Sequence, residues 1–239
     1  MKRYCLFPAA AAVFAMNAFA QTSPPPRDLR GIWQAQKTVD MDLEASGKGF
    51  IVEPPNGKIP YKPEALAQKR RNFSNRSSAD PVVRCFQPGV PRATWLPEPF
   101  QIFQNAGGFY IVYQNAHTYR IIPLDGSSRN EGLGYAMGES RGHWDGSTLV
   151  VDVTSFSDQT WLDGAGNFHS DALHVVERYT RTDPATLMYE ATTEDPKVFE
   201  KPWKITVPLR LRRGPHAQIL EDECIEDSGG VRHHVPLRL

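Results

Sequence analysis

The chain has 239 residues, of which 27 are basic, 27 are acidic and 40% are hydrophobic. This balance lacks the basic excess that nucleic-acid-binding or anionic-membrane-binding proteins usually carry. After residue 20, no segment is apolar enough to cross a bilayer. The sequence also contains no Gly-x-Gly-x-x-Gly or Walker A pattern, so we expect no cofactor and no nucleic-acid partner.

The beginning of the chain has the pattern of a secretory signal peptide, over residues 1–20. Lys2 and Arg3 precede a mainly apolar stretch that closes on Ala18-Phe19-Ala20, a small-x-small cleavage site. Cleavage takes Lys2 and Arg3 from the 27 basic residues and leaves 25, against 27 acidic ones. An uncleaved membrane anchor is the alternative, although the apolar run is short for a span. The pattern predicts a periplasmic or secreted protein with no integral membrane segment after cleavage.

The remaining chain divides into a linker, one domain and a tail. Residues 21–28 carry three consecutive prolines and form the linker, residues 29–228 form a single β-barrel domain, and residues 229–239 form a polar C-terminal tail. Two cysteines remain after cleavage, Cys85 and Cys224, and export to an oxidising compartment predicts a disulfide between them. A reactive thiol is the alternative.

Short β-rich runs separated by turn residues make up most of the domain. Residues 37–60 are expected to form a loop, residues 63–71 a short surface helix with a proline at its start, and residues 80–99 a rigid proline-rich segment. A first strand begins at Leu29. Further strands are predicted at 99–104, 109–115, 118–123, 141–144, 147–156, 173–182, 187–194, 203–211 and 218–225.

These elements predict an all-β fold: an antiparallel meander that closes into a lipocalin- or calycin-like barrel or a strongly curved sheet, with one short helix. Asp145-Gly146 is a strong hairpin signal between two of the runs. Apolar and polar residues alternate from Trp203 to Leu211, as in a half-buried strand. Gly31-Ile32-Trp33 resembles the opening motif of lipocalins, in which the tryptophan closes one end of the barrel; a plain core tryptophan is the alternative.

Strand parity predicts an ionisable pocket inside the barrel, because positions two apart share a face. Leu173, Val175, Glu177 and Tyr179 share the more apolar face of their strand, so we expect Glu177 in the interior, where a carboxylate must be paired or neutralised. The same argument places His117 and Tyr119 together on one inward face and Tyr189 on another. The predicted lining is His117, Tyr119, Glu177, Tyr179 and Tyr189, and the alternative is a core of half-buried rings with satisfied polar atoms.

The loop over residues 157–170 is the second candidate, since long connections between strands often carry function. It contains Asp158, Trp161, Asp163 and His169. Over an open barrel end, a carboxylate and an imidazole can form a general acid/base pair, with the tryptophan as an apolar lid. The alternative is that Asp and His cap turns.

Other polar residues carry weaker hypotheses. Arg141 and Arg178 are candidate clamps for an anionic group, with surface ion pairs as the alternative, and His174 is a candidate ligand contact. No metal site is expected, because His169 and His174 would project to opposite faces if both lay in one extended strand. Gly138-Glu139-Ser140-Arg141-Gly142 matches the Gly-x-Ser-x-Gly expression, but a hairpin follows it where the nucleophile elbow requires a helix.

Four segments resemble a family of uncharacterised secreted proteins of environmental proteobacteria and acidobacteria. They are R-C-F-Q-P-G-V-P-R, A-H-T-Y-R-I-I-P-L-D-G, S-R-G-H-W-D-G-S-T-L-V-V-D-V-T-S-F and N-F-H-S-D-A-L-H-V-V-E-R-Y-T-R. The resemblance covers most of the mature chain and implies export and a shared fold, without an activity. The family has arginine where this chain has His143, which argues against a role for that histidine.

Together these observations favour an exported barrel that binds a small apolar or aromatic molecule. In the leading hypothesis it transforms that molecule by cofactor-independent acid/base chemistry of the lyase, isomerase or hydrolase type. His169 or His117 would accept the proton, with Asp158 or Glu177 as its partner. The alternatives are a non-catalytic carrier of the same shape and an envelope interaction protein.

Overall fold

A computed structural model describes residues 27–36, 42–44, 50–127, 132–226 and 232–236, with only the backbone at 222–226 and 232–236. The predicted signal peptide, most of the linker and much of the predicted tail lie outside the described residues. Within this part of the chain, no helix is long and apolar enough to cross a membrane.

Twelve strands, two α-helices and two 3-10 helices occur in the described ranges. The helices are α1 (Leu66–Ser74) and α2 (Arg76–Ala79), and the 3-10 helices cover Arg92–Thr94 and Asn115–His117. The strands are β1 (Gly31–Ala35), β2 (Ile51–Glu53), β3 (Phe100–Asn105), β4 (Gly108–Tyr113), β5 (Tyr119–Pro123), β6 (Glu139–Asp145), β7 (Thr148–Thr154), β8 (His174–Asp183), β9 (Thr186–Glu194), β10 (Trp203–Arg212), β11 (Asp222–Glu226) and β12 (Arg232–Pro236).

Ten of these strands form one antiparallel sheet that curls into a nearly closed barrel. The strand order is β5-β4-β3-β1-β10-β9-β8-β7-β6, with β2 paired to β10 outside this path. Because the first strand pairs with β10, consecutive strands are neighbours nearly all the way round, and β5 and β6 are left as the two ends. The predicted antiparallel meander and its lipocalin-like barrel are confirmed.

The two end strands, β5 and β6, meet through side chains at a line that we call the seam. Among the described residues, no backbone ladder joins the two strands. Instead, Arg120 Nη2 donates to Ser140 Oγ at 2.8 Å. A Cβ at Gly142 would lie only 2.8 Å from Ile122 Cγ2, so glycine allows the strands to approach here.

The register places the last residues of β1, β2, β7 and β9 at one end of the barrel. The tight turns that follow β3, β6 and β8 lie at the other end. Trp33, Trp95 and Trp203 are fully buried, and the predicted alternation along β10 is observed. The guanidinium of Arg181 lies 5.4 Å from the centre of the Trp33 ring.

Three local predictions differ from the structure. The helix begins at Leu66, because Pro63 and Glu64 lie in the turn before it and Ala65 caps it. β2 falls inside the predicted loop 37–60, and its three residues are too few to show a period. β12 lies in the predicted tail and pairs with β11 in a separate two-stranded sheet.

Candidate functional site

A buried ion pair spans the interior of the barrel from β5 to β8. Arg120 Nη2 lies 2.5 Å from Glu177 Oε2, and Nη1 lies 3.2 Å from Oε1, which makes a two-pronged contact. Only 2% of the Arg120 side chain and 0% of the Glu177 side chain are exposed. Two charges removed from water in this way must be paired, because either one alone would carry a large desolvation cost.

Phenol groups complete the surroundings of this ion pair. Tyr179 and Tyr189 both donate to Glu177 Oε1, at 3.1 and 2.7 Å. Burial raises the pKa of both phenols well above 10, and the neighbouring charge of Glu177 raises it further. The phenols are therefore neutral donors. With two contacts from Arg120, the Glu177 carboxylate accepts four hydrogen bonds and is poorly placed to take a proton from a substrate.

The strand-parity prediction is correct for the inward faces of β8 and β9 and wrong for β5. Glu177, Tyr179 and Tyr189 point inward as predicted. His117 and Tyr119 point outward, and 65% of Tyr119 is exposed, so the predicted five-residue pocket does not form. The inward position next to Tyr119 is occupied by Arg120, which is needed there to pair with Glu177.

Most of the loop 157–170 is buried, and Trp161, which the sequence predicts as an apolar lid over an open barrel end, lines a surface pocket instead. Asp163 organises it by accepting hydrogen bonds from the backbone N–H groups of Leu43 (2.8 Å), Ala165 (3.0 Å) and Asn167 (3.0 Å) and from the Asn167 amide (2.5 Å). Burial raises the pKa of Asp163 from 3.8 to about 6, even though these hydrogen bonds oppose the shift. Asp163 therefore joins three donors of the loop to the backbone of Leu43.

His169 is a satisfied core histidine in this structure. Its Nδ1 lies 2.9 Å from the Ser170 carbonyl, which can only accept, so Nδ1 carries the proton and Nε2 accepts from the Thr160 hydroxyl at 2.7 Å. Burial lowers the pKa of His169 and favours the neutral ring. Asp158 lies on the surface and is not one of these hydrogen-bond partners. The predicted pairing of His169 with Asp158 or Glu177 is therefore wrong.

The remaining predicted contacts are spread over the outside of the barrel. Trp161 lines a shallow pocket of about 430 Å³ with Phe86, Arg84 and Gln159. Arg178 pairs with Asp145 at 2.9 Å, as in an ordinary surface ion pair. Neither contact reaches the ion pair inside the barrel.

His174 lies between two carboxylates on the outer faces of β7, β8 and β9. Its Nε2 is 2.8 Å from Asp152 and its Nδ1 is 2.7 Å from Glu194. Partial burial lowers the pKa of His174, but the hydrogen bonds and charges of Glu194 and Asp152 outweigh this effect and raise it above 6.5. Within the described residues, no group of three or more His, Cys, Asp or Glu is arranged to hold a metal ion.

His174→Gln should therefore lower stability at acid pH and have little effect at alkaline pH. Since the folded pKa is raised, the contribution of His174 is complete below its unfolded pKa of 6.5 and is lost as the pH rises through the folded value. The effect should stay below about 1 kcal/mol, because the site is half exposed. Urea unfolding at several pH values tests this, with the exposed His143→Gln on β6 as the control. Equal losses for His174→Gln at acid and alkaline pH would contradict it.

A cleft of about 470 Å³ opens along the seam, and we call it the seam cleft. Its walls include the outward side chains of β5 and the segment that leads into β6, and Arg120 and Ser140 lie at its base. Its lining includes Tyr119, Ile121, Tyr135, Ala136, Met137, Glu139 and Arg141. Tyr119, Ile121 and Tyr135 leave large apolar surface exposed to solvent.

The charges beside the seam cleft are internally compensated. Arg141 Nη2 lies 2.7 Å from Glu139 Oε1, and its other nitrogens donate to the backbone carbonyls of Ser127 and Ser140. Arg120 is matched by Glu177. The seam cleft therefore combines apolar and aromatic walls with a polar base and no net charge. It collects Tyr119 and Arg141 from the predicted contacts and connects through Arg120 to Glu177, Tyr179 and Tyr189.

Sequence reasoning did not find Arg120 and Ser140 as a pair. One signal was present: Arg120 is the single charged residue in the run Tyr119–Pro123, which is otherwise apolar or aromatic. A lone cation in such a strand requires a buried partner, and Glu177 had already been placed inside the barrel. Comparison of the chain with protein-family models, with curated proteins and with solved structures gives no match.

Proposed function

We propose that this protein is a small-molecule-binding barrel that holds a neutral apolar or aromatic molecule in the seam cleft. The main support is the seam itself, where the two end strands leave a cleft of about 470 Å³. That volume is within the range of small-molecule sites, which are mostly apolar with a few placed polar groups. The proposal includes the export to the periplasm or medium and the disulfide predicted from the sequence. Cys224 lies on β11, whose side chains are outside the described ones.

The chemistry of the seam cleft defines the ligand class further. Both arginines near it are paired with glutamates, so a ligand carboxylate or phosphate would have to displace an existing ion pair. Ser140 Oγ accepts from Arg120, which leaves its own hydroxyl proton available for an oxygen acceptor. The best fit is a planar, uncharged molecule that carries a carbonyl, ether or hydroxyl oxygen.

Binding without catalysis is favoured over acid/base turnover. A general base must lie within hydrogen-bond reach of the proton that it takes. His117 points away from the interior, His169 uses both ring nitrogens, and Glu177 accepts four hydrogen bonds. Among the described side chains that bond to Glu177, none is a histidine. We therefore propose a non-catalytic carrier.

Titration with the neutral dye N-phenyl-1-naphthylamine tests the proposal through the rise in dye fluorescence on binding. We expect saturable binding to the wild-type protein. Tyr135→Ala should weaken it by about tenfold, the equivalent of roughly 1.4 kcal/mol. Ala136→Trp should abolish binding, because the indole would fill the seam cleft.

Leu133→Ala is the matched control, since Leu133 is exposed on the same segment and does not line the seam cleft. It should bind the dye like the wild type. If Tyr135→Ala and Ala136→Trp both retain wild-type affinity, or if the dye does not bind, the assignment of the ligand to the seam cleft is wrong.

A further inference from the structure

Three arginines share an open cleft on the outside of the barrel, where β10 ends beside β1. The cleft has a volume of about 540 Å³. The register places Arg210 opposite Gln34 and Arg212 opposite Ile32, and Arg213 follows the end of β10. All three arginines are exposed. We call this site the arginine cleft, and its lining is Gln34, Ala35, Gln36, Arg210, Leu211, Arg212 and Arg213.

The positive charges of this cleft are not compensated by ion pairs. Other arginines of the barrel wall pair with carboxylates, namely Arg120, Arg141 and Arg178. Within the described part of the chain, the guanidinium groups of Arg210 and Arg212 make no hydrogen bond or ion pair. Arg213 donates to the carbonyl of Pro184 at 2.8 Å. Because the chain as a whole carries 27 basic and 27 acidic residues, this excess of positive charge is a local feature.

The acidic residues near this end of the barrel have partners of their own. Asp183 lies at the end of β8, and its carboxylate accepts from the N–H of Ala185 at 2.7 Å. This hydrogen bond lowers the pKa of Asp183, and the charge of Arg210 lowers it further. Asp28 pairs with Arg30 at 2.8 Å. Neither acid lines the arginine cleft, whose described lining therefore keeps a net positive charge.

The chemistry of the lining defines the ligand that fits. Arginine presents its donors in a planar fork that matches the oxygens of phosphate, and such charge-assisted hydrogen bonds are among the strong ones. Like charges held close together repel one another, so a doubly charged anion relieves more of this repulsion than a singly charged one. The cleft is larger than a phosphate ion, which leaves room for an organic part. Gln34 Nε2 donates to the Pro97 carbonyl at 2.6 Å, and its amide oxygen can accept from a ligand hydroxyl.

We propose that the arginine cleft binds a small, polyhydroxylated phosphate monoester. Arg210 and Arg212 contact the phosphate oxygens in this proposal, and Gln34 accepts from a hydroxyl of the organic part. The site is separate from the seam cleft, because β3 and β4 lie between β1 and β5 in the sheet. It also takes a charged ligand, whereas the seam cleft has no net charge. The proposal therefore does not depend on the ligand proposed for the seam cleft.

Isothermal titration calorimetry with glucose 6-phosphate tests the proposal, at an ionic strength of about 10 mM, where exposed charges are weakly screened. We expect saturable binding to the wild-type protein and none of unphosphorylated glucose. Arg212→Gln should weaken the binding of glucose 6-phosphate by about tenfold or more. Arg210→Gln should do the same, and it provides a second test if the circular dichroism spectrum of Arg212→Gln is altered. Arg178→Gln is the matched control, since it also removes one arginine charge from the barrel exterior but lies outside the arginine cleft.

Weakened binding in Arg210→Gln or Arg212→Gln, with wild-type affinity in Arg178→Gln, supports the proposal. It is overturned if the wild type does not bind glucose 6-phosphate, if both substitutions in the cleft leave the affinity unchanged, or if Arg178→Gln weakens binding as much as they do. Flotation with phosphatidylcholine vesicles that contain phosphatidic acid is run in parallel, because this lipid also presents a phosphate monoester. A protein that floats with these vesicles and does not bind glucose 6-phosphate would identify a lipid headgroup as the ligand and also overturn the proposal.

Discussion

Replacing Glu177 by alanine is expected to lower the free energy of unfolding by about 3–5 kcal/mol, the usual cost of leaving one member of a buried ion pair without its partner. Arg120 would remain in the barrel interior, and the hydroxyls of Tyr179 and Tyr189 would lose their acceptor. A loss of this size is a large part of the 5–15 kcal/mol that stabilises a typical domain. Urea unfolding followed by tryptophan fluorescence measures it.

The double variant Arg120→Met/Glu177→Leu is the control for the ion pair. It removes both charges and keeps apolar volume, so it should be clearly more stable than Glu177→Ala. Tyr189→Phe removes only one donor and should cost about 1 kcal/mol. If the double variant were as unstable as the single one, the loss would come from packing around Glu177 and not from an unpaired Arg120.

Replacing Asp163 by alanine is expected to have a similar effect, about 3–6 kcal/mol, because each buried donor left without an acceptor costs about 1–3 kcal/mol. Three backbone N–H groups and the Asn167 amide bond to this carboxylate. The loop 157–170 should lose protection in amide hydrogen exchange. Protection that stays at the wild-type level through this loop would contradict the role given to Asp163.

Asp163→Asn tests the titration of the same group. Its pKa is raised from 3.8 to about 6 in the folded protein, so its contribution to stability is complete below about pH 4 and is lost as the pH rises through about 6. The stability of the wild type relative to Asp163→Asn should therefore fall, on the order of 3 kcal/mol, between pH 4 and pH 7. Parallel stability curves for the two proteins would show that Asp163 does not titrate in this range.

Much of the fold could be predicted because its signals are local. The alternation along β10 depends only on neighbouring residues, and it gave both the strand and its buried face. The hairpin at Asp145-Gly146 was equally clear. β2 escaped because it is held by pairing with a distant strand, β10, and not by a pattern of its own.

The candidate site was less predictable because long-range contacts decide it. On β5, Tyr119 and Ile121 look more apolar than Arg120, so parity alone turns the wrong face inward. The partner that reverses this choice, Glu177, is 57 positions away. In the loop 157–170, the sequence gives Asp163, Gly164 and Gly166 the look of surface residues. They are buried because the Asp163 carboxylate accepts hydrogen bonds from backbone N–H groups of the loop and from the N–H of Leu43, 120 positions away.

The most direct test of the seam cleft as the ligand site is a two-dimensional ¹H–¹⁵N NMR titration of the wild-type protein with N-phenyl-1-naphthylamine. Our account predicts that the changed amide signals belong to residues 119–121 and 135–141. Changes centred on residues 84–86 and 159–161 would instead place the ligand beside Trp161. That result would contradict the account, and so would the absence of any change.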